Sequence, residues 1–276
     1  MKNSCFTRML FVIALFVSAQ LSAQHSLVKQ WETDSTLTRP ESVLFDAKSK
    51  ILFVSNIGDS EKPGSGSISK IGLDGKIIKL DWVKGLTATK GLGIYNNQLY
   101  AAEQTTVAVI DLNSAAIIRR IPVEGAMVLN DITIDSKGIV YVSDSRTNKV
   151  HKIENGKPSV YLENMMSVNG LLASGKNLYI LTGKTLQKAD ADKKLTTLAD
   201  GIEGGGDGIE MINDHEFLVT GWEGIIYVVK EDGSKQVLLD TRKKGINAAD
   251  LGLDLSTKTV YIPAMSKNKV IAYILK

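Results

Sequence analysis

The sequence predicts an all-β chain, a six-bladed β-propeller with four antiparallel strands per blade. Three observations carry the prediction. One strand–turn–strand grammar recurs six times at a period near 40 residues. Hairpin signals rich in Asp, Asn, Gly and Lys stand between the strands, and no stretch beyond the first 23 residues keeps a helical apolar period over three turns.

Each copy of the grammar begins with a small or polar residue and a short apolar strand, then a turn, then a second strand centred on an aromatic. The copies start at Glu41, Gly91, Asn130, Asn169, Asp207 and Ala249. Their aromatic anchors are Phe53, Tyr100, Tyr141, Tyr179, Phe217 and Tyr261, separated by 47, 41, 38, 38 and 44 residues. A third strand follows most anchors (Val107-Ala-Val-Ile, Lys149-Val-His-Lys-Ile, Gly224-Ile-Ile-Tyr-Val-Val), and a fourth precedes the next copy. Turns such as Leu73-Asp-Gly-Lys, Glu154-Asn-Gly-Lys and Glu231-Asp-Gly-Ser join the last two strands of a blade. The sixth copy ends with its third strand at Lys276, while Ser26-Leu-Val-Lys-Gln-Trp31 stands alone before the first. The N-terminal strand is therefore expected to complete the last blade and close the ring. A β-sandwich does not explain six copies of one grammar.

The first 23 residues read as an export leader. Lys2 and Arg8 precede an apolar run, Met9 to Ala19, and Leu21-Ser22-Ala23 forms a small-residue exit. That run is about half of the ~20 apolar residues needed to span a bilayer. Residues 24–276 are thus expected to be one secreted or periplasmic domain, with no membrane insertion after cleavage and a monomeric state. The only cysteine, Cys5, lies in the leader, so the mature chain has no thiol or disulfide chemistry. Of 33 basic residues two belong to the leader, leaving 31 against 30 acidic ones. With the two signs interleaved, nucleic acid is not an expected partner.

In a propeller the first strand of each blade lines the central channel, so the first residues of six inner strands converge on one rim. Those residues are Glu41, a position near Lys90 or Gly91, Asn130, Asn169, Asp207, and a position near Ala249 or Asp250. Crowded on the axis with the two amides, the carboxylates Glu41 and Asp207 repel each other and lose hydration, and a hard cation among them resolves both problems. Oxygen donors alone, of mixed charge, match calcium better than zinc, which prefers His or Cys.

In these motifs the chain resembles the senescence marker protein-30/gluconolactonase family, with the related diisopropyl fluorophosphatase. The likeness runs through Arg39-Pro-Glu-Ser42, Leu129-Asn-Asp-Ile-Thr-Ile-Asp135, Val168-Asn-Gly-Leu171 and Gly206-Asp-Gly-Ile209, and covers the whole mature chain. It implies a six-bladed propeller and a divalent metal, calcium, bound by Glu41, Asn169 and Asp207. It makes Asn130 a ligand or substrate contact and Asp207 a candidate catalytic carboxylate. Departures are visible: Ser42-Val43 replaces the family's Gly-Pro, Gly206 replaces a proline, and Val128 stands where sugar-lactone members often carry arginine. The implied activity is metal-dependent hydrolysis of a small molecule, a lactone or related ester. The alternative is a non-catalytic propeller that binds a protein or glycan around a structural ion.

Loops after the second strands are expected to read the substrate, with Arg146 and Trp222 as candidate contacts. The longest of these loops carries Asp59, Glu61, Lys62 and Pro63. Thr182-Gly-Lys-Thr185 lacks the upstream glycine of a phosphate loop. His25, His151 and His215 share no rim position, which argues against a Ser-His-Asp mechanism.

Overall fold

The computed structural model describes residues 24–60 and 62–276. The leader and Glu61 lie outside the described residues. Six four-stranded antiparallel sheets follow one another along the chain. Blade 1 comprises β2 (Pro40–Asp46), β3 (Ile51–Asn56), β4 (Gly66–Gly72) and β5 (Ile77–Leu86). Blade 2 comprises β6 (Leu92–Tyr95), β7 (Gln98–Ala102), β8 (Thr106–Asp111) and β9 (Ile117–Pro122). Blade 3 comprises β10 (Leu129–Ile134), β11 (Val140–Asp144), β12 (Lys149–Glu154) and β13 (Lys157–Leu162). Blade 4 comprises β14 (Val168–Ser174), β15 (Asn177–Thr182), β16 (Thr185–Ala189) and β17 (Leu195–Ala199). Blade 5 comprises β18 (Gly206–Asn213), β19 (Glu216–Gly221), β20 (Ile225–Lys230) and β21 (Lys235–Asp240). Blade 6 takes β22 (Gly252–Asp254), β23 (Thr259–Ala264) and β24 (Lys269–Leu275), and its fourth strand is β1 (Leu27–Glu32).

The ring closes as the leftover strand predicts. β1 pairs antiparallel with β24, Leu27 opposite Leu275 and Glu32 opposite Ile271. Trp31 fixes this closure sideways: its ring lies 5.9 Å from that of Tyr261, and its Nε1 donates to the Leu73 carbonyl of blade 1 at 2.9 Å.

Aspartates at the blade hairpins explain why the turns repeat. Asp46, Asp111, Asp135, Asp190 and Asp232 each accept a backbone N–H two residues on, the side-chain turn that Asp favours.

The apolar core is divided into six clusters, one between each pair of neighbouring blades. Five of the six aromatic anchors face the following blade, as Phe53 does toward Leu92 and Leu99. Phe217 is the exception. It turns back onto Tyr179 of blade 4, with centroids 4.8 Å apart, while its neighbour Leu218 packs toward blade 6. The reason is the two-residue side-chain period of a strand. Phe53 and Tyr141 stand two residues before the buried hydroxyls Ser55 and Ser143, whereas Phe217 stands three before Thr220. The aromatic marks blade 5 correctly, one residue out of phase.

Candidate metal centre at the channel mouth

Four of the inner strands begin with the same irregularity. Pairing between the first and second strand slips between Pro40 and Val43, Leu129 and Ile132, Val168 and Leu171, and Gly206 and Ile209. The bulged residues are Glu41, Asn130, Asn169 and Asp207 with their immediate successors. A bulge bends the strand and re-aims a side chain, and here all four predicted site residues occupy one. In three blades the backbone N–H freed by the bulge is taken by a hydroxyl of the second strand: Ser42 by Ser55, Asp131 by Ser143 and Gly208 by Thr220, at 2.9, 2.9 and 2.8 Å. Small hydroxyl residues after the anchor are thus what the bulge requires.

Around the axis, at least one polar contact joins each blade to the next. Lys90 Nζ meets Glu41 Oε1 at 3.2 Å, joining blades 2 and 1. The Gly91 N–H donates to the Asn130 carbonyl at 2.9 Å. The Leu171 N–H donates to Asp131 Oδ2 at 2.6 Å, and Asn169 Nδ2 to Asp207 Oδ1 at 2.6 Å. Thr220 Oγ1 donates to the Ala249 carbonyl at 3.0 Å, and Ser42 Oγ to Asp250 Oδ2 at 2.6 Å, completing the circle. Glycine permits this closeness: a Cβ on Gly170 would lie 2.2 Å from the Asp207 carbonyl oxygen, and one on Gly208 would lie 2.6 Å from Asp250 Oδ1.

The site is strongly acidic. Glu41, Asp131 and Asp207 are buried, and Asp250 is partly so. Burial pushes Asp207 and Asp131 well above the usual carboxylate range; Glu41 and Asp250 raise Asp207 further, and Asp250 and Glu41 raise Asp131. Burial also raises Glu41, against the pull of Lys90, and takes Asp250 to about 7. Deeper in the channel, burial and Asp250 push Glu210 to about 8. Glu210 and Asp250 line an axial cavity of about 200 Å³ with Ser42, Asp131 and Thr133. With Glu41, Asp131, Asp207 and Asp250 all ionised, Lys90 alone leaves three negative charges, so those carboxyls hold protons or share a further cation.

Two oxygens speak for the cation. Glu41 Oε2 and Asn169 Oδ1 are buried without a hydrogen-bond partner. An unpartnered buried carboxylate or amide oxygen is costly, and both residues belong to the predicted ligand set. Among the described residues no three His, Cys, Asp or Glu side chains are grouped to hold a metal. A cation here would rely on the amides of Asn130 and Asn169 as well as on carboxylates. The donor set fits a hard, oxygen-bound ion.

Asn130, Asn169 and Trp222 line one surface cleft of about 470 Å³, together with Ser145, Ser167 and the Gly204–Gly206 run. Ser145 Oγ accepts from Asn130 Nδ2 at 3.0 Å and donates to the Val168 carbonyl at 2.7 Å, tying the two amide positions together. Trp222 is 39% exposed on the cleft wall. Arg146 is exposed on the turn after β11 and is not among the lining residues. Other rim residues anchor loops: Asp144 accepts backbone N–H groups from Met127, Val128, Arg146 and Thr147, and Glu103 holds Thr87, Thr106 and Arg120. Sequence reasoning left the second and sixth blade positions open. They supply Lys90 and Asp250, and it missed Asp131, hidden behind Asn130.

No family model matches the chain, and no curated protein matches it. Solved structures do. A virginiamycin B lyase from Staphylococcus aureus superposes with a TM-score of 0.66 at 13% identity, over 91% of this chain and 99% of that one. A luciferin-regenerating enzyme gives 0.66 at 13% identity, over 89% and 95%. A protein assigned as a gluconolactonase gives 0.69 at 14% identity, over 92% and 93%. At these identities the likeness establishes a shared propeller fold.

Proposed function

We propose that this chain is an exported, metal-dependent hydrolase that opens a lactone or related ester of a small molecule. Calcium would be held at the channel mouth by Glu41, Asn130, Asn169 and Asp207. The observation that carries the reading is the pair of buried, unpartnered oxygens, Glu41 Oε2 and Asn169 Oδ1, beside the Asn169–Asp207 hydrogen bond. The solved gluconolactonase-like propeller supports the reaction class by analogy of fold alone.

A divalent ion bound there would polarise the ester carbonyl. The protein's own part follows from its residues. Burial and Glu41 raise the proton affinity of Asp207 in the ion-free site; a bound divalent ion would lower it again, and the ionised carboxylate would then serve as general base. It would take the proton of a water that adds to the carbonyl carbon, and return it to the alkoxide released when the C–O bond breaks. Asn169 orients Asp207 through its 2.6 Å hydrogen bond. Trp222 and the glycine run would hold the substrate body against the cleft wall. The acid-rich centre and Glu223 on the same wall favour a neutral substrate over an anionic one.

A lyase reading has less support. A variant of the Staphylococcus aureus virginiamycin B lyase with a histidine replaced by alanine is catalytically inactive. Here His25, His151 and His215 all lie outside the cleft lining.

The test is a screen of the mature protein against aliphatic lactones and aryl esters, with calcium and with a chelator. Turnover that needs calcium and is lost in Asp207→Asn supports the reading. Calcium binding with no turnover on any ester favours the non-catalytic propeller.

A further inference from the structure

The mouth of the channel contains a cation that belongs to the chain. Lys90 is the last residue before the inner strand of blade 2. Its N–H donates to the Ala102 carbonyl at 3.0 Å and the next N–H to the Asn130 carbonyl at 2.9 Å, which fixes its Cα on the ring. Its ammonium reaches across to blade 1 and meets Glu41 Oε1 at 3.2 Å, with side-chain exposures of 21% for Lys90 and 4% for Glu41. The carboxylate is only half engaged, because Oε2 has no partner.

We infer that Lys90 is the built-in counter-cation of this site and competes with a divalent ion for Glu41. The metal then loads by displacing the ammonium. This rests on the metal reading of the site given above. Two cations sharing one carboxylate in a buried, low-dielectric site repel each other strongly, so the ammonium must withdraw when the ion enters. It has the means: a four-carbon flexible stem and a partly exposed head at the mouth, from which it can reach water. The same arrangement explains how a ring stitched through Glu41 stays closed before any metal arrives. The expected consequences are modest wild-type affinity and a metal-free protein that folds.

Calorimetric titration of calcium into chelator-treated mature protein tests this, with wild type, Lys90→Met, Lys90→Gln and Lys90→Arg compared. The two neutral variants are expected to bind calcium at least ~10-fold more tightly than wild type. Their unfolding midpoint without divalent ions is expected to drop and to recover with calcium by more than the wild-type shift. Lys90→Arg keeps the charge and is expected to stay within about threefold of wild type. Wild type and both neutral variants binding calcium equally well would overturn the competition while leaving the metal reading intact. Absence of binding of calcium, magnesium and manganese by all four proteins would overturn both.

Discussion

Asn169 Nδ2 donates to Asp207 Oδ1 at 2.6 Å, and this single bond joins blades 4 and 5 while leaving Asn169 Oδ1 buried without a partner. Such contacts recur around the axis, where Glu41 joins blade 2 and Asp250 joins blade 1. Ring closure and the candidate site are built from one set of residues, so a ligand bound at that site would be coupled to stability.

Asp207→Asn is therefore expected to act with opposite signs on two measurements. Without metal the variant removes a buried carboxylate that Glu41 and Asp250 repel, so its unfolding free energy is expected to rise by up to about 1 kcal/mol. With calcium the variant loses a charged ligand, and the affinity is expected to fall at least ~10-fold, since 1.4 kcal/mol is tenfold. Thermal melts with chelator and with calcium read both effects. A variant stabilised by calcium as much as wild type would remove Asp207 from the ligand set.

Gly170 is the tightest glycine of the inner strands. A Cβ there would lie 2.2 Å from the backbone oxygen of Asp207 and 2.9 Å from Leu181 Cδ1. The oxygen is main chain in a paired strand and cannot move aside cheaply. Gly170→Ala is expected to cost about 1–3 kcal/mol, the range for overpacking, and to weaken calcium binding by shifting Asp207. Denaturant unfolding with a parallel calcium titration checks it; an unchanged midpoint would mean that blades 4 and 5 separate easily.

The fold was legible because its signals repeat. Six aromatic-centred strands, Asp-bearing turns and one unpaired N-terminal strand leave little freedom, and each falls in its expected blade. Glu41, Asn130, Asn169 and Asp207 stood out in the sequence because each lies at the start of an inner strand, and each falls in a bulge there. Lys90 stood out only as one of two positions, because its strand begins at Leu92 and lacks the bulge that marks its neighbours. Asp131 was hidden for a different reason: it follows Asn130 in the same bulge and turns to accept the Ile132 and Leu171 N–H groups, a role set by contact with the next blade. The phase of Phe217 shows the limit of an aromatic anchor, since one residue of offset sends the ring to the opposite face.

Trp31 tests the closure of the ring. It packs on Tyr261 of blade 6, donates to Leu73 of blade 1 and covers Gly75, where a Cβ would lie 2.7 Å from its ring. Trp31→Ala removes all three and is expected to cost about 3 kcal/mol, the lower end for a large aromatic because Trp31 is only partly buried. Hydrogen exchange should then rise first in the β1–β24 pair. Uniform exchange across all six blades would mean that the closing strand is not the weak seam.

Acidity at the axis predicts an unusual pH profile. Asp250 is pushed to about 7 and Glu210 to about 8, chiefly by burial, and Asp131 and Asp207 also lie well above ordinary carboxylates. A carboxyl whose folded value is raised binds more protons in the native state. Its contribution is complete below the unfolded value and is lost as pH rises through the folded one. Metal-free protein should therefore lose stability between about pH 5 and 8, by roughly 1.4 kcal/mol per pH unit for each group titrating in that window. Glu32 works in the other direction: hydrogen bonds from Lys269 and Lys29 hold it at about 2, so its contribution is present above the ordinary glutamate range and disappears in acid. Calcium should flatten the fall at higher pH, because ion binding needs the deprotonated ligands. Melting temperatures from pH 5 to 9, in chelator and in calcium, with Glu210→Gln as the control that removes one titrating group, measure each part. A chelated protein whose midpoint is level across that range would mean that the axial carboxyls are already neutralised by some other cation.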